Sequence, residues 1–155
     1  MEIKIMVGCS GSGKSTYIAT HWPQAKVVSS DHFFMKDGEY RFDPMKLGQS
    51  HGACLRNFIY AIQQGMGPDG FDGVLVVDNT NTTMQELAPY CAIAASYGIP
   101  FEVVVLDVPP AVAAPRNAHG VPERGVERQY SRMQGMLKNL PSHWPVKWVS
   151  KEDGR

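Results

Sequence analysis

The sequence predicts an α/β fold, a three-layer sandwich around a five-stranded parallel sheet. Three observations carry that expectation. Five short runs rich in valine and isoleucine alternate with longer amphipathic segments. Three of the runs are nearly continuous in apolar character, as strands covered on both faces are. The stretches between them are long enough for right-handed crossover connections.

Taken in order, "IKIMV" (3–7) reads as the first strand, and a helix follows at 14–21. The second strand is "KVVSS" (26–30), closing on Asp31. "KDGEYRFDP" (36–44) reads as a loop long enough to carry contacts. A helix over 45–64 begins where Asp43 offers an N-cap and Pro44 takes the first helical position. "QQGMGPDGFDG" (63–73) is a glycine-rich surface connection into the third strand, "GVLVVD" (73–78). Thr83 and Glu86 have capping-box spacing and start a helix over 83–97. The fourth strand is "FEVVVLDV" (101–108). In the next helix, 122–139, Val126, Tyr130, Met133, Leu137 and Leu140 recur every three or four residues and form one buried stripe. "VKWVS" (146–150) closes the sheet.

A chain of 155 residues suits one domain, residues 1–155, and is short for two. Its 43% hydrophobic and 19% charged content is that of a soluble globular protein. No apolar run approaches the ~18 residues of a membrane span. The N-terminus enters a strand at once, without a signal-peptide layout. Cys9, Cys54 and Cys91 are odd in number and far apart, against both a disulfide framework and a structural zinc site. An intracellular, cytoplasmic protein without a membrane partner is expected; the oligomeric state is left open. With 15 basic and 15 acidic residues the formal net charge is zero. A nucleic acid would have to be held by a local patch rather than by bulk charge.

The chemistry starts in "GCSGSGKST", residues 8–16. Gly8, Gly13, Lys14 and Ser15 fit G-x-x-x-x-G-K-[ST] between a predicted strand and a predicted helix. The glycines let the backbone curl so that N–H groups of the loop, through Ser10, Gly11, Ser12 and on to Thr16, point at phosphate oxygens. The helix adds its positive end. Lys14 is expected to reach the β and γ phosphates, and Ser15 to give its hydroxyl to Mg²⁺. A nucleoside triphosphate, ATP in the first place, is the expected ligand.

A GTPase would carry N-K-x-D, which is absent, and a motor or ring ATPase would need a larger domain. A kinase needs a base near the acceptor, a metal site and cations over the transferring phosphate. Asp31, at the carboxyl end of the second strand, is placed to be that base, facing the loop from the next position along the sheet. It could equally cap whatever helix follows. Asp78 ends the third strand and suits the Mg²⁺ shell or the acceptor. Asn79 to Thr82 read either as substrate contacts or as a turn. Arg116, in a segment broken by Pro115, Gly120 and Pro122, suits a lid over about 115–125 that closes on the phosphates. Arg124, Arg128 and Arg132 are four apart and form either a solvated helix face or a track for a nucleic-acid backbone. His51 reads as a core residue; His32 is placed near substrate only by following Asp31.

"GCSGSGKST", "SSDHFF", "DGEYRFDPMKLGQSH", "VVDNTNTTMQELAPYCAIAASYG" and "RNAHGVP" together resemble the P-loop kinase domain of polynucleotide kinases, over residue 3 to about 135. The resemblance implies a five-stranded P-loop kinase sandwich. It also implies Lys14 and Ser15 on nucleotide and metal, Asp31 activating the acceptor hydroxyl, Asp78 at the acceptor site and Arg116 in the lid. The substrate implied is a nucleic acid, DNA first. Two features depart from the pattern. Kinases of this family that repair 5′ ends carry an arginine three residues after the catalytic aspartate; here Phe34 stands there. A phosphatase domain alongside the kinase is not expected. Related phage kinases act on 5-hydroxymethyluridine in DNA, and Phe33 and Phe34 would suit stacking on such a base, or else pack beneath the loop. A small-molecule or nucleoside kinase and a non-catalytic nucleotide-dependent module are the rival readings.

Overall fold

The computed structural model describes residues 1–149. Strand β1 (Glu2–Val7) leads through the glycine-rich loop into helix α1 (Lys14–His21), and β2 (Lys26–Val28) follows. A 3-10 turn (Ser30–Phe34) opens into a two-stranded hairpin, β3 (Met35–Lys36) and β4 (Glu39–Tyr40). Then come α2 (Leu47–Gly65), β5 (Val74–Val77), α3 (Met84–Ser96) and β6 (Phe101–Leu106). A short helix α4 (Pro110–Ala113) with a 3-10 turn (Ala114–Arg116) precedes α5 (Glu123–Leu137) and β7 (Val146–Val149).

The main sheet has the order β2-β5-β1-β6-β7, and every pairing in it is parallel. Alternation along β1 divides the core. Ile3, Ile5 and Val7 face Phe58 of α2, Leu87 of α3 and Met133 of α5. Met6 faces the other way, onto Tyr17 and Ile18 of α1 with Val76, Val104 and Leu106. The second face is only partly apolar: Lys4 sits there against Glu2 (2.6 Å) and Glu102 (3.2 Å), its ammonium over the Trp22 ring. Burial lowers the Lys4 pKa, but the bonds and charges of Glu2 and Glu102 outweigh that and hold it above its usual value.

The five predicted strands and four predicted helices are present, with shifted ends. The second strand stops at Val28 because Ser29 turns its hydroxyl to the Asp31 N–H (3.2 Å), a local bond that competes with the ladder. The last residue of the fifth predicted strand, Ser150, lies outside the described residues. Asp43 caps as expected, through Met45 N (3.0 Å), but a 3-10 turn (Pro44–Lys46) intervenes before α2. Thr83 caps α3 through Glu86 N (3.2 Å). That cap contributes ~1 kcal/mol, less than the ~3 kcal/mol that Pro89 inside the same helix costs. Burial of Leu87, Tyr90, Cys91 and Ala94 is what holds α3.

The expected loop 36–44 contains the hairpin. Asp37 (φ 52°) and Gly38 (φ 79°) form its tip, the two left-handed positions that a primed two-residue turn requires.

Candidate active site

The cleft opens at the carboxyl ends of the strands, where a parallel sheet with crossover helices leaves its loops. The loop after β1 forms its floor. Gly8 N donates to Thr80 O (3.0 Å), tying that loop to the one after β5. Gly13 caps α1 with φ 96° and no side chain, so the first N–H groups of the helix stay open to the cleft. A methyl group on Gly11 (φ 82°) would run into the Ala113 carbonyl and the Asn117 N–H, so only glycine permits this approach to α4. Ser10 N donates to Gln129 Oε1 of α5 (2.8 Å).

Ser10, Gly11, Gly13, Lys14, Ser15 and Thr16 all line this cleft, of about 400 Å³. Gly8 and Ser12 are buried beneath it. A Cβ on Gly8 would fall 2.5 Å from Ser12 Oγ, itself buried without a hydrogen-bond partner. Those two residues shape the loop from below. The Lys14 ammonium is folded back onto the carbonyls of Gly8 (2.9 Å) and Cys9 (3.2 Å). Burial holds its pKa below the usual lysine range, although Asp78, Cys9 and Asp31 pull it upward. Ser15 Oγ donates to Asp78 Oδ2 (3.0 Å).

The strand order corrects one expectation. Asp78 follows β5, which neighbours β1; Asp31 follows β2, one strand further out. Asp31 nonetheless reaches the cleft, because the 3-10 turn after β2 carries it inward. Ser29, not Asp31, caps that turn. Tyr40 donates its hydroxyl to Asp31 Oδ1 (3.2 Å), and His119 Nε2 stands 3.4 Å from Oδ2. Burial first, then the Asp31 charge, push the Tyr40 phenol up to about 12, so it is a donor throughout the physiological range.

Asn79 lines the cleft while fixed from behind: its carbonyl accepts from Ser30 N (2.8 Å) and Ser30 Oγ (2.9 Å). Its amide donates to Cys54 Sγ and Tyr90 Oη, each at 3.4 Å. Asn81 and Thr82 are buried, and Asn81 Nδ2 donates to Met6 O (2.8 Å), so that half of the polar run is architecture. Arg116 is exposed on the 3-10 turn at the cleft's edge.

A second cleft, of about 320 Å³, adjoins the first and shares Ser10, Asp31, Asn79, Thr80 and His119 with it. Phe34, Tyr40 and Phe42 give it an aromatic side, and His51, Glu86 and Arg132 give it polar groups. Phe34 is buried there, while Phe33, half-buried, lines neither cleft among the described residues. His51 faces this cleft rather than the core, and His32 is exposed. Arg132 is the member of the arginine row that reaches it. Arg41 is exposed and paired with Glu39 (3.0 Å).

Sequence reading alone missed Tyr40, Phe42, Asn117, His119 and Gln129. The Asp37-Gly38 dipeptide, a hairpin signal not used above, is what could have pointed at the first two. Among the described residues no group of three or more His, Cys, Asp or Glu could hold a metal by itself. Ser15 and Asp78 side by side do fit Mg²⁺, which takes one or two protein oxygens and completes its shell with phosphates and water.

A parallel sheet of this order, with a glycine-rich loop leaving its central strand, is a P-loop kinase-like fold, and solved kinases share it. The chain belongs to the AAA domain family AAA_33, whose model matches residues 3–140. It is similar to a structure of the Pnkp1/Rnl/Hen1 RNA repair complex, with a TM-score of 0.68 and 18% identity, over 90% of this chain and 46% of that one. Deoxyadenosine kinase from M. mycoides with bound dATP is similar over 98% of this chain and 92% of that one, with a TM-score of 0.57 and 17% identity. Human NEDD4-binding protein 2 is 27% identical over 143 residues, 86% of this chain and 8% of the relative's own length. No helix among the described residues is long and apolar enough to cross a membrane.

Proposed function

We propose that this protein is an ATP-dependent kinase that transfers the γ-phosphate to a hydroxyl of a nucleic acid, DNA in the first place. The acceptor is a 5′-OH end or the hydroxymethyl group of 5-hydroxymethyluridine. The observation that carries the reading is the position of Asp31, where the phosphate-loop cleft and the aromatic cleft meet.

The first-turn N–H groups of α1 and the curled loop bind the phosphates. Lys14 swings from the Gly8 and Cys9 carbonyls to the β and γ oxygens, and Ser15 with Asp78 holds Mg²⁺. Mg²⁺ supplies positive charge against the charge that builds on the transferring group. Asp31 takes the proton of the acceptor hydroxyl as its oxygen bonds to phosphorus and the β–γ bridge breaks, with the nucleoside diphosphate leaving. Tyr40 and His119, one at each carboxylate oxygen, fix its orientation. Arg116 comes down on the transferring phosphate as the 115–125 lid closes. Arg132 on the acceptor cleft, with Arg128 and Arg124 one and two turns earlier on α5, forms a phosphate track that supports a polynucleotide over a free nucleoside. The nucleic-acid reading is also in keeping with the likeness to an RNA repair complex.

Transfer of γ-labelled phosphate to two oligonucleotides tests it, one with a free 5′-OH and one 5′-blocked with internal hydroxymethyluracil. Label is expected on at least one, and Asp31→Asn is expected to cut the rate by about 10²–10⁴-fold. No label on either oligonucleotide, with turnover of a free nucleoside instead, overturns the nucleic-acid reading in favour of a nucleoside kinase.

A further inference from the structure

The rings of Tyr40 and Phe42 are nearly parallel, 12° apart, and their centroids are separated by 6.5 Å. That lies within the ~4.5–7 Å of an ordinary offset aromatic pair, so the two rings form one continuous aromatic side of the second cleft. Phe34 packs edge-on against both rings, at 6.1 Å and 75° to Tyr40 and at 5.1 Å and 63° to Phe42. His119 backs Tyr40 at 4.4 Å. Two neighbours thus brace the Tyr40 ring, and Phe34 also touches the other.

Resting on the kinase reading above, we infer that the base of the acceptor nucleotide stacks on the aromatic side formed by Tyr40 and Phe42, with Phe34 buried behind them. Tyr40 ends in the hydroxyl that touches Asp31 at 3.2 Å, so a base on these rings brings its sugar or its 5-substituent toward Asp31. Arg132, His51 and Glu86 stand in the same cleft, where they can meet a base edge and the phosphate attached to it. Every nucleobase has a π-face, so this aromatic side selects a nucleotide without selecting a sequence. Phe42 is 52% exposed, a large ring left facing solvent until such a ligand covers it. The structure thus assigns stacking to Tyr40 and Phe42, not to the Phe33–Phe34 pair.

Phe42→Ala is the informative variant, because Phe42 is half exposed and lies outside the core clusters; Tyr40 is a poorer choice, since it also holds Asp31. Single-stranded oligonucleotides with 2-aminopurine at the 5′ terminus or at an internal position report stacking directly through quenched emission. Saturable quenching by the wild-type protein is expected for at least one of them. Phe42→Ala should abolish the quenching and weaken binding about tenfold, since a stacked base contributes ~1–3 kcal/mol. Phe42→Trp should retain both. In the transfer assay with a 5′-OH acceptor, removing the 5′-terminal base should raise KM about tenfold in the wild type and have no effect in Phe42→Ala. Transfer without quenching, or an equal loss in Phe42→Ala for base-bearing and abasic 5′-OH acceptors, overturns the stacking and leaves the kinase intact. Quenching that depends on Phe42, with no phosphate transfer, does the reverse.

Discussion

The ammonium of Lys14 is held below its ordinary pKa by burial, against the upward pull of Asp78, Cys9 and Asp31. A lysine whose folded pKa falls below its unfolded 10.5 makes the unfolded chain the better proton binder between those two values. Stability therefore rises with pH through that window, and at neutral pH the partly buried cation is a net cost to the fold. Lys14→Met is expected to melt at the same temperature as the wild type or higher, and to lose the melting shift that the proposed binding of ATP with Mg²⁺ predicts. Thermal denaturation with and without nucleotide measures both; a clearly lower melting temperature in the bare protein would contradict the argument. Lys14, Ser15 and Asp31 were legible in the sequence because their spacing from a strand end is fixed locally. Tyr40, Phe42 and His119 were not. Tyr40 and His119 meet Asp31, and Phe42 joins the same cleft, only because a hairpin folds back on one side and the segment after α4 arrives from the other. "HFF" drew attention to two adjacent rings, yet neighbours in a tight turn point different ways, and only Phe34 reaches the cleft.

Among the elements, the segment between α4 and α5 owes its shape to a single side chain. Asn117 donates to Ala114 O (2.8 Å) and Val121 O (3.0 Å) and accepts from Val121 N (2.9 Å). It thereby preforms the loop that carries His119, with Gly120 at φ 69°. Each bond contributes ~1 kcal/mol. Asn117→Ala is expected to speed amide exchange across 114–121 about tenfold or more while the global melting temperature moves little. Unchanged exchange there would show that the loop is held by other contacts. Periodicity found every long element, because α2, α3 and α5 each bury one face. It misjudged the places where side chains compete with the backbone: Ser29 ends β2, Asp43 starts a 3-10 turn, and the Asp37-Gly38 tip makes strands of two residues, too short to show alternation.

On the scale of the whole molecule, three cysteines are buried, Cys54 and Cys91 in one core cluster and Cys9 in another. Burial pushes the Cys9 thiol up despite Lys14 nearby, pushes Cys54 up, and takes Cys91 to about 12. A thiol reagent at pH 8 is expected to leave the native protein unmodified for minutes and to titrate all three thiols in denaturant; fast reaction of any of them in the native state would contradict that packing. The class of fold followed from the alternation of strands and helices, but the strand order did not, because nothing in the chain says that β5 rather than β2 lies beside β1. That order makes the two clefts share a wall: Ser10, Asp31, Asn79, Thr80 and His119 belong to both. Under the proposed kinase reading, any coupling between a nucleotide on one side and an acceptor on the other runs through these shared residues. By reciprocity, whatever factor a nucleotide applies to acceptor affinity, the acceptor must apply to nucleotide affinity.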